Sequence, residues 1–342
     1  MHKKLIALAV AGLVAAPAMA QSNVTIYGLV DVGVSYRGDN IAPGVGSKFS
    51  VDSGIHSGNR LGFKGTEDLG NGLKAGFVLE TGFGIEQPEF RNGSAFGRQA
   101  FVTLSGGFGT LAVGRVYTPQ FNLLSSVDPF GLFGTVGQMS NLYQTDVRVD
   151  NTVAYISPSF SGLTVTAAYA NNLSGAETAG NDNDTRVFAL SPVYKNGPIL
   201  LGLNYHKIDP QAAGRPSQDV WDLAGSYDFG VAKVAAAYGY REVNATDERN
   251  SWMLGVTVPV SGAGRVLASY NYTKLDVSGT SVDPKSTQWA IGYVHDLSKR
   301  TNLYVAYADI SNKKGATASV RDASNDGAGY QSGFNIGIRH KF

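Results

Sequence analysis

Arg60 and Lys64 stand four residues apart with Leu61 and Phe63 between them. A strand carrying this stretch would hold both cations on one face and both apolar side chains on the other. Lys74 and Glu80 repeat the device, while Leu73, Ala75, Phe77 and Leu79 take the opposite parity. Charges placed this way set up a field along a wet surface; they do not make a catalytic group. His2, His56, His206, His295 and His340 show no two-ligand spacing, so metal chemistry is not supported. The chain has no Cys, which excludes disulfides, thiolate zinc sites and thiol nucleophiles. Neither a G-x-S-x-G elbow nor a phosphate-binding loop occurs. Glu67-Asp68 is a pair of acids in a turn-like setting and reads as solvated surface. No enzyme, cofactor or metal is expected.

The elements that position these charges follow from composition and period. The 342 residues include 43 Gly and only 12 Pro, and 16% are charged, against roughly 25% in ordinary soluble domains. Basic and acidic residues number 28 and 27, so the basic excess of a nucleic-acid binder is missing and no such partner is expected. Lys3 and Lys4, an apolar run over 5–14 and Ala18-Met19-Ala20 form the pattern of a cleaved export signal over residues 1–20. Residues 21–342 then make one domain. They contain no later apolar run near the ~20 residues of a membrane helix.

Period-2 alternation recurs instead throughout 21–342, the mark of strands with two unlike faces. Val24, Ile26, Val30, Val32 and Val34 share one parity; Val266, Ala268, Tyr270 and Tyr272 do so later, and Phe334, Ile336, Ile338 and Phe342 near the end. Sixteen such segments can be placed between residues 23 and 342, and short connections alternate with long ones. Short turns at one end, long loops at the other and an even strand number describe an outer-membrane barrel. The fold expected is all-β, a 16-stranded antiparallel transmembrane barrel. A secreted β-sandwich would carry more surface charge and has no reason to keep the loop rhythm. The connection over 117–148 is the longest, which marks a loop with a task. Arg321 falls in an external-loop stretch away from these charges.

Four segments resemble the general porins of Gram-negative outer membranes, especially the beta-proteobacterial type. They are the stretch opening Asn23-Val-Thr-Ile-Tyr-Gly, the hairpin Asn59-Arg-Leu-Gly-Phe-Lys-Gly-Thr-Glu-Asp-Leu-Gly-Asn-Gly-Leu-Lys, the run Gly97-Arg-Gln-Ala-Phe with Gly114-Arg115, and Gly337-Ile-Arg-His-Lys-Phe342. The resemblance implies a homotrimer in outer-membrane lipid and lipopolysaccharide, passing ions and small hydrophilic solutes. Substrate-selective transport, or adhesion through the long loops, is the alternative.

The resemblance also implies site residues. Loop 117–148 would fold into the pore, with Asp128-Pro-Phe-Gly131 similar to the family's acidic constriction stretch. Arg60, Arg98 and Arg148 would form a basic wall facing Asp128 and Glu80, with Lys74 on the same inner face as Glu80. Arg115 would meet Glu86 or Glu89 of a neighbouring copy. Three cations against two acids predict a weak preference for anions.

Overall fold

The computed structural model describes residues 23–180, 183–244, 246–321 and 329–342; the export signal expected over 1–20 lies outside the described residues. Eighteen strands follow in order. They are β1 (Asn23–Asn40), β2 (Lys48–Ser53), β3 (Arg60–Gly70), β4 (Leu73–Phe83), β5 (Phe90–Arg91) and β6 (Gln99–Gly106). Next come β7 (Gly109–Tyr117), β8 (Arg148–Ile156), β9 (Leu163–Ala170), β10 (Thr185–Asn196), β11 (Ile199–Pro210) and β12 (Gln218–Asp228). The last are β13 (Lys233–Glu242), β14 (Glu248–Pro259), β15 (Gly264–Asp276), β16 (Lys285–Asp296), β17 (Thr301–Lys313) and β18 (Tyr330–Lys341). One helix, α1 (Pro119–Ser125), and a short 3-10 turn (Met139–Asn141) lie in the long loop.

All pairings are antiparallel, and β18 closes against β1 from Leu29 beside Lys341 to Asn40 beside Tyr330. Sixteen strands make the wall; β2 and β5 are accessory pieces on β1 and β4. Closure removes the open edges that a lipid environment would leave unsatisfied. Among the described residues no helix is long and apolar enough to span a membrane; the spanning elements are strands.

The alternation sorts the faces as expected. Val24 and Ile26 are more than 60% exposed on the outside, whereas Asp31, Ser35 and Arg37 on the other parity are fully buried inside. The β3–β4 hairpin turns on Asn71-Gly72, both at positive φ, the geometry that suits the right-handed strand twist.

One wall strand departs from the expected pattern. The long connection after the first strand is partly strand itself: β1 runs on to Asn40, and β2 returns alongside Val32–Arg37. The chain then leaves the wall over 54–59 and rejoins β1 as β3. Asp31 bridges the gap: its carbonyl accepts the Gly54 N–H at 2.7 Å, and its own N–H donates to Asn59 Oδ1 at 2.7 Å. Ile55 is carried inward and fully buried.

Loop 118–147 fills the lumen against the inner wall of β11–β18. Leu123, Leu124, Val127, Leu132, Met139 and Tyr143 pack on Ala224, Ala235, Ala237 and Met253. Phe130 and Val136 pack with Ile55, Leu267, Ala290, Ala306 and Val320. Each large apolar side chain buried contributes roughly 1.5–3 kcal/mol, so the loop is a fixed partition. Glycines make its seat. A Cβ on Gly255 would stand 2.6 Å from Pro129, and on Gly292 or Gly333 2.9 Å from Phe130 or Val136; Gly202 and Gly239 leave the space taken by Leu123 and Tyr143.

Candidate pore constriction

Between the seated loop and the wall of β3–β8 remains a cavity of about 470 Å3, lined among others by Arg60, Arg98, Arg148 and Arg321. Among the described residues no carboxylate lines it. The inward step supplies Ser57 and Gly58, and the loop supplies Phe121, Ser125, Phe133 and Ser140. Gly58 has a steric reason: a Cβ there would press against the Arg98 guanidinium at 3.0 Å.

The arginines are held by short, directional contacts. Arg98 Nε donates to Glu80 Oε1 at 2.8 Å and its terminal N–H to Tyr117 Oη at 2.8 Å. Arg148 lies over the Tyr117 ring at 5.0 Å and donates to Asn92 Oδ1 at 3.4 Å. Arg60 Nε donates to the Gly58 carbonyl at 3.1 Å. Tyr117 stacks on Phe121 at 4.4 Å, which joins the basic wall to α1. Among the described residues, Arg60 and Arg148 form no ion pair.

The two expected acids do not face this wall. Glu80 belongs to it: the carboxylate is 2% exposed and shared between Arg98 and the Tyr27 hydroxyl at 3.0 Å. Asp128 is turned into its own loop, accepting the backbone N–H groups of Phe130 at 2.9 Å and Met139 at 2.8 Å. Burial raises its pKa, and these bonds offset the rise only in part, leaving it at about 6. Among the described residues, the cavity is therefore basic on the wall side, and neither expected acid stands opposite it. Lys74 is absent from the lining because it sits at the turn, beside Asp68 and Ser105. Six residues of strand separate it from Glu80, about 20 Å.

Arg321 corrects the expectation of a remote loop charge. Val320 is fully buried against the loop cluster, and this draws Arg321 to the cavity, where its backbone N–H donates to Asn141 Oδ1 at 3.0 Å. The signal was an apolar residue inside a polar loop.

The other loop acid anchors the partition from behind. Asp146 is hydrogen-bonded to His206 Nε2 at 2.9 Å and ion-paired with Arg241. Burial raises its pKa, but His206 and Arg241 overcome this and hold it down to about 2. Close by, Asp222 takes the Tyr143 hydroxyl at 2.7 Å and Gln120 at 3.2 Å. None of this cluster was singled out from sequence.

At the residues expected to join copies, Arg115 bonds Asp150 of its own chain at 2.5 Å and Gly97 O at 2.8 Å. Glu86 pairs with Arg91 within its loop, and Glu89 is exposed at the loop tip.

Known proteins carry the same architecture. The sequence pattern described as Gram-negative porin matches residues 7–315. Outer membrane porin protein 32 of Delftia acidovorans is 35% identical over the whole of both chains. The solved anion-selective porin from Comamonas acidovorans is 31% identical, with a TM-score of 0.76 over 94% of this chain and 100% of that one. A trimer form of OmpT from Vibrio cholerae, 16% identical, shares the fold at a TM-score of 0.71 over 94% of this chain and 99% of that one. With its closed sixteen-strand wall and inserted loop, the chain belongs to the Gram-negative porins and is an outer-membrane channel of the beta-proteobacterial type.

Proposed function

We propose that the channel passes small hydrophilic solutes with a preference for anions set by Arg60, Arg98 and Arg148. The observation that carries this reading is a constriction lined by four arginines and, among the described residues, by no carboxylate. Field lines concentrate in a narrow aqueous path between low-dielectric walls, so these charges outweigh equal charges on open loops. Within about 10 Å, the Debye length at 0.1 M salt, a passing ion feels each of them. Arg60→Ala should move the reversal potential in a salt gradient toward cations, and Arg60→Glu further. The shift should shrink at about 1 M salt, where screening acts within ~3 Å. Unchanged selectivity in both variants would rule out this constriction.

The same reading takes the working form as a homotrimer surrounded by lipid and lipopolysaccharide, with residues 1–20 as its export signal. Every Trp, at 221, 252 and 289, lies on β12–β16, and no Tyr or Trp points outward from β3–β7. A lipid-facing wall carries aromatic girdles at its edges; a wall without them suits a protein neighbour. On this reading Glu89, exposed in the loop before β5, reaches that neighbour. Glu89→Ala should lower the temperature at which trimers dissociate in semi-native gels, and a wild-type monomer after mild extraction would end the trimer reading.

A further inference from the structure

Basic side chains continue beyond the constriction. Leu29 stands between Arg60 on β3 and Lys341 on β18, so both cations flank β1 on the lumen parity. Arg339, beside Asp31 and Asn302, shares that parity. Arg265 is the second residue of β15, directly after a short turn. Short turns mark the periplasmic end of such barrels, which places Arg265, Arg339 and Lys341 around the periplasmic mouth. Arg60 and Arg265 act electrostatically on Arg339, and all three act on Lys341.

Two acids lie near, and both are occupied. Asp296 is bonded to Arg265 at 2.6 Å. Asp31 has no exposed surface; it takes the Tyr304 hydroxyl at 2.6 Å and the N–H groups of His56 and Ser57 at 3.0 and 2.9 Å. Among the described residues Arg339 and Lys341 form no ion pair. Arg339 donates to Ser57 Oγ at 2.9 Å, and Ser57 itself lines the constriction cavity. Positive charge therefore runs from Arg98 and Arg60 past Ser57 to the mouth.

We propose that Arg339 and Lys341, beside the Asp296-paired Arg265, form a second station for small hydrated anions, in series with the constriction and on its periplasmic side. Like charges held within one another's field gain from an anion between them. Conduction favours several sites of modest affinity over one strong site. The inference rests on the anion-preferring reading of the constriction and adds a second, separate element to it.

The natural absence of Cys permits a clean test. In Lys341→Cys, the rate of modification by a sulfonate-bearing methanethiosulfonate is compared with that of a trimethylammonium-bearing one, each normalised to a free thiol in solution. At 0.1 M salt the anionic reagent should lead by roughly fivefold or more, as expected in a focused positive potential. Adding Arg339→Gln should cut that lead by about half or more, and high salt should erase most of it. Heat-modifiable migration on gels checks that each variant is folded. If Lys341→Cys does not fold, Arg339→Gln alone should lower the anion-to-cation permeability ratio at low salt. Equal normalised rates, or an unchanged permeability ratio in that fallback, overturn the second station. The wild-type reversal potential is recorded alongside: if it shows anion preference while the thiol shows no bias, the mouth station fails alone. A cation-preferring wild type overturns the constriction reading and the station with it.

Discussion

Glu80 Oε1 lies 2.8 Å from Arg98 Nε, and both side chains belong to one wall of the pore. The acid therefore subtracts from the basic wall at the point where it stands. Glu80→Gln should release the Arg98 charge and shift the reversal potential further toward anions, the opposite of Arg60→Ala. A buried partner removed from such a pair is costly when the remaining charge is dry; here Arg98 borders the aqueous cavity, and the barrel should still fold. A shift toward cations would show that Glu80 does not act through Arg98.

Arg321 should behave as a constriction residue. Arg321→Glu is expected to move selectivity toward cations by an amount similar to Arg148→Glu, because both line the same cavity. Lys74→Glu, at the far turn, should do much less. Planar-bilayer recordings of the three variants at low salt decide the order.

The seated loop carries two acids displaced in opposite directions from the ordinary carboxylate pKa. Asp146, held at about 2, lies below an ordinary carboxylate value of about 3.9. Its contribution to seating the loop is present above about pH 4 and is lost as the pH falls toward 2. Asp128, raised to about 6, costs the seated loop when ionised, and acidification from neutral relieves that cost. Each displacement is worth about 2–3 kcal/mol. The loop should thus hold, or tighten, from neutral down to about pH 4, and loosen only below it. Single-channel conductance followed through this range should stay flat and then change. A rise in conductance between about pH 7 and 5, meaning that the loop loosens as Asp128 is neutralised, would contradict the assignment.

The wall itself is tested by a pair of arginines. Leu254 stands in the middle of β14 and is half-exposed on the outward face, and an Arg at mid-bilayer depth costs about 2–4 kcal/mol. Leu254→Arg should impair assembly. Its lumen counterpart is Thr103, which pairs with Gly76 on the inward parity of β4. Thr103→Arg should assemble normally, and equal yields of both folded variants would overturn the facing.

Much of the wall was legible because alternation is a local property of the chain. The parity of Arg60 and Lys64 against Leu61 and Phe63 places Arg60 in the lumen, where the structure has it. Parity reports a face and not a height, which is why Lys74 falls at the turn. The aim of Asp128 was illegible for another reason. Its partners are backbone N–H groups of Phe130 and Met139, positioned only when the loop has folded on itself. The inward step over 54–59 read as ordinary loop, since nothing local tells that Asp31 and Asn59 replace the missing ladder. Gly202, Gly239 and Gly255 read as small strand residues; what each accommodates comes from more than 60 residues away in sequence.

The seat of the loop also orders events in time. The N–H of Val136 donates to Asn335 Oδ1 at 2.7 Å, and Val136 packs over Gly333. Asn335 and Gly333 belong to β18, the strand that completes the ring against β1. That edge of the partition is secured only once β18 is in place. The gauge of the channel therefore depends on the final strand of the chain, the last to be made and the last to take its seat.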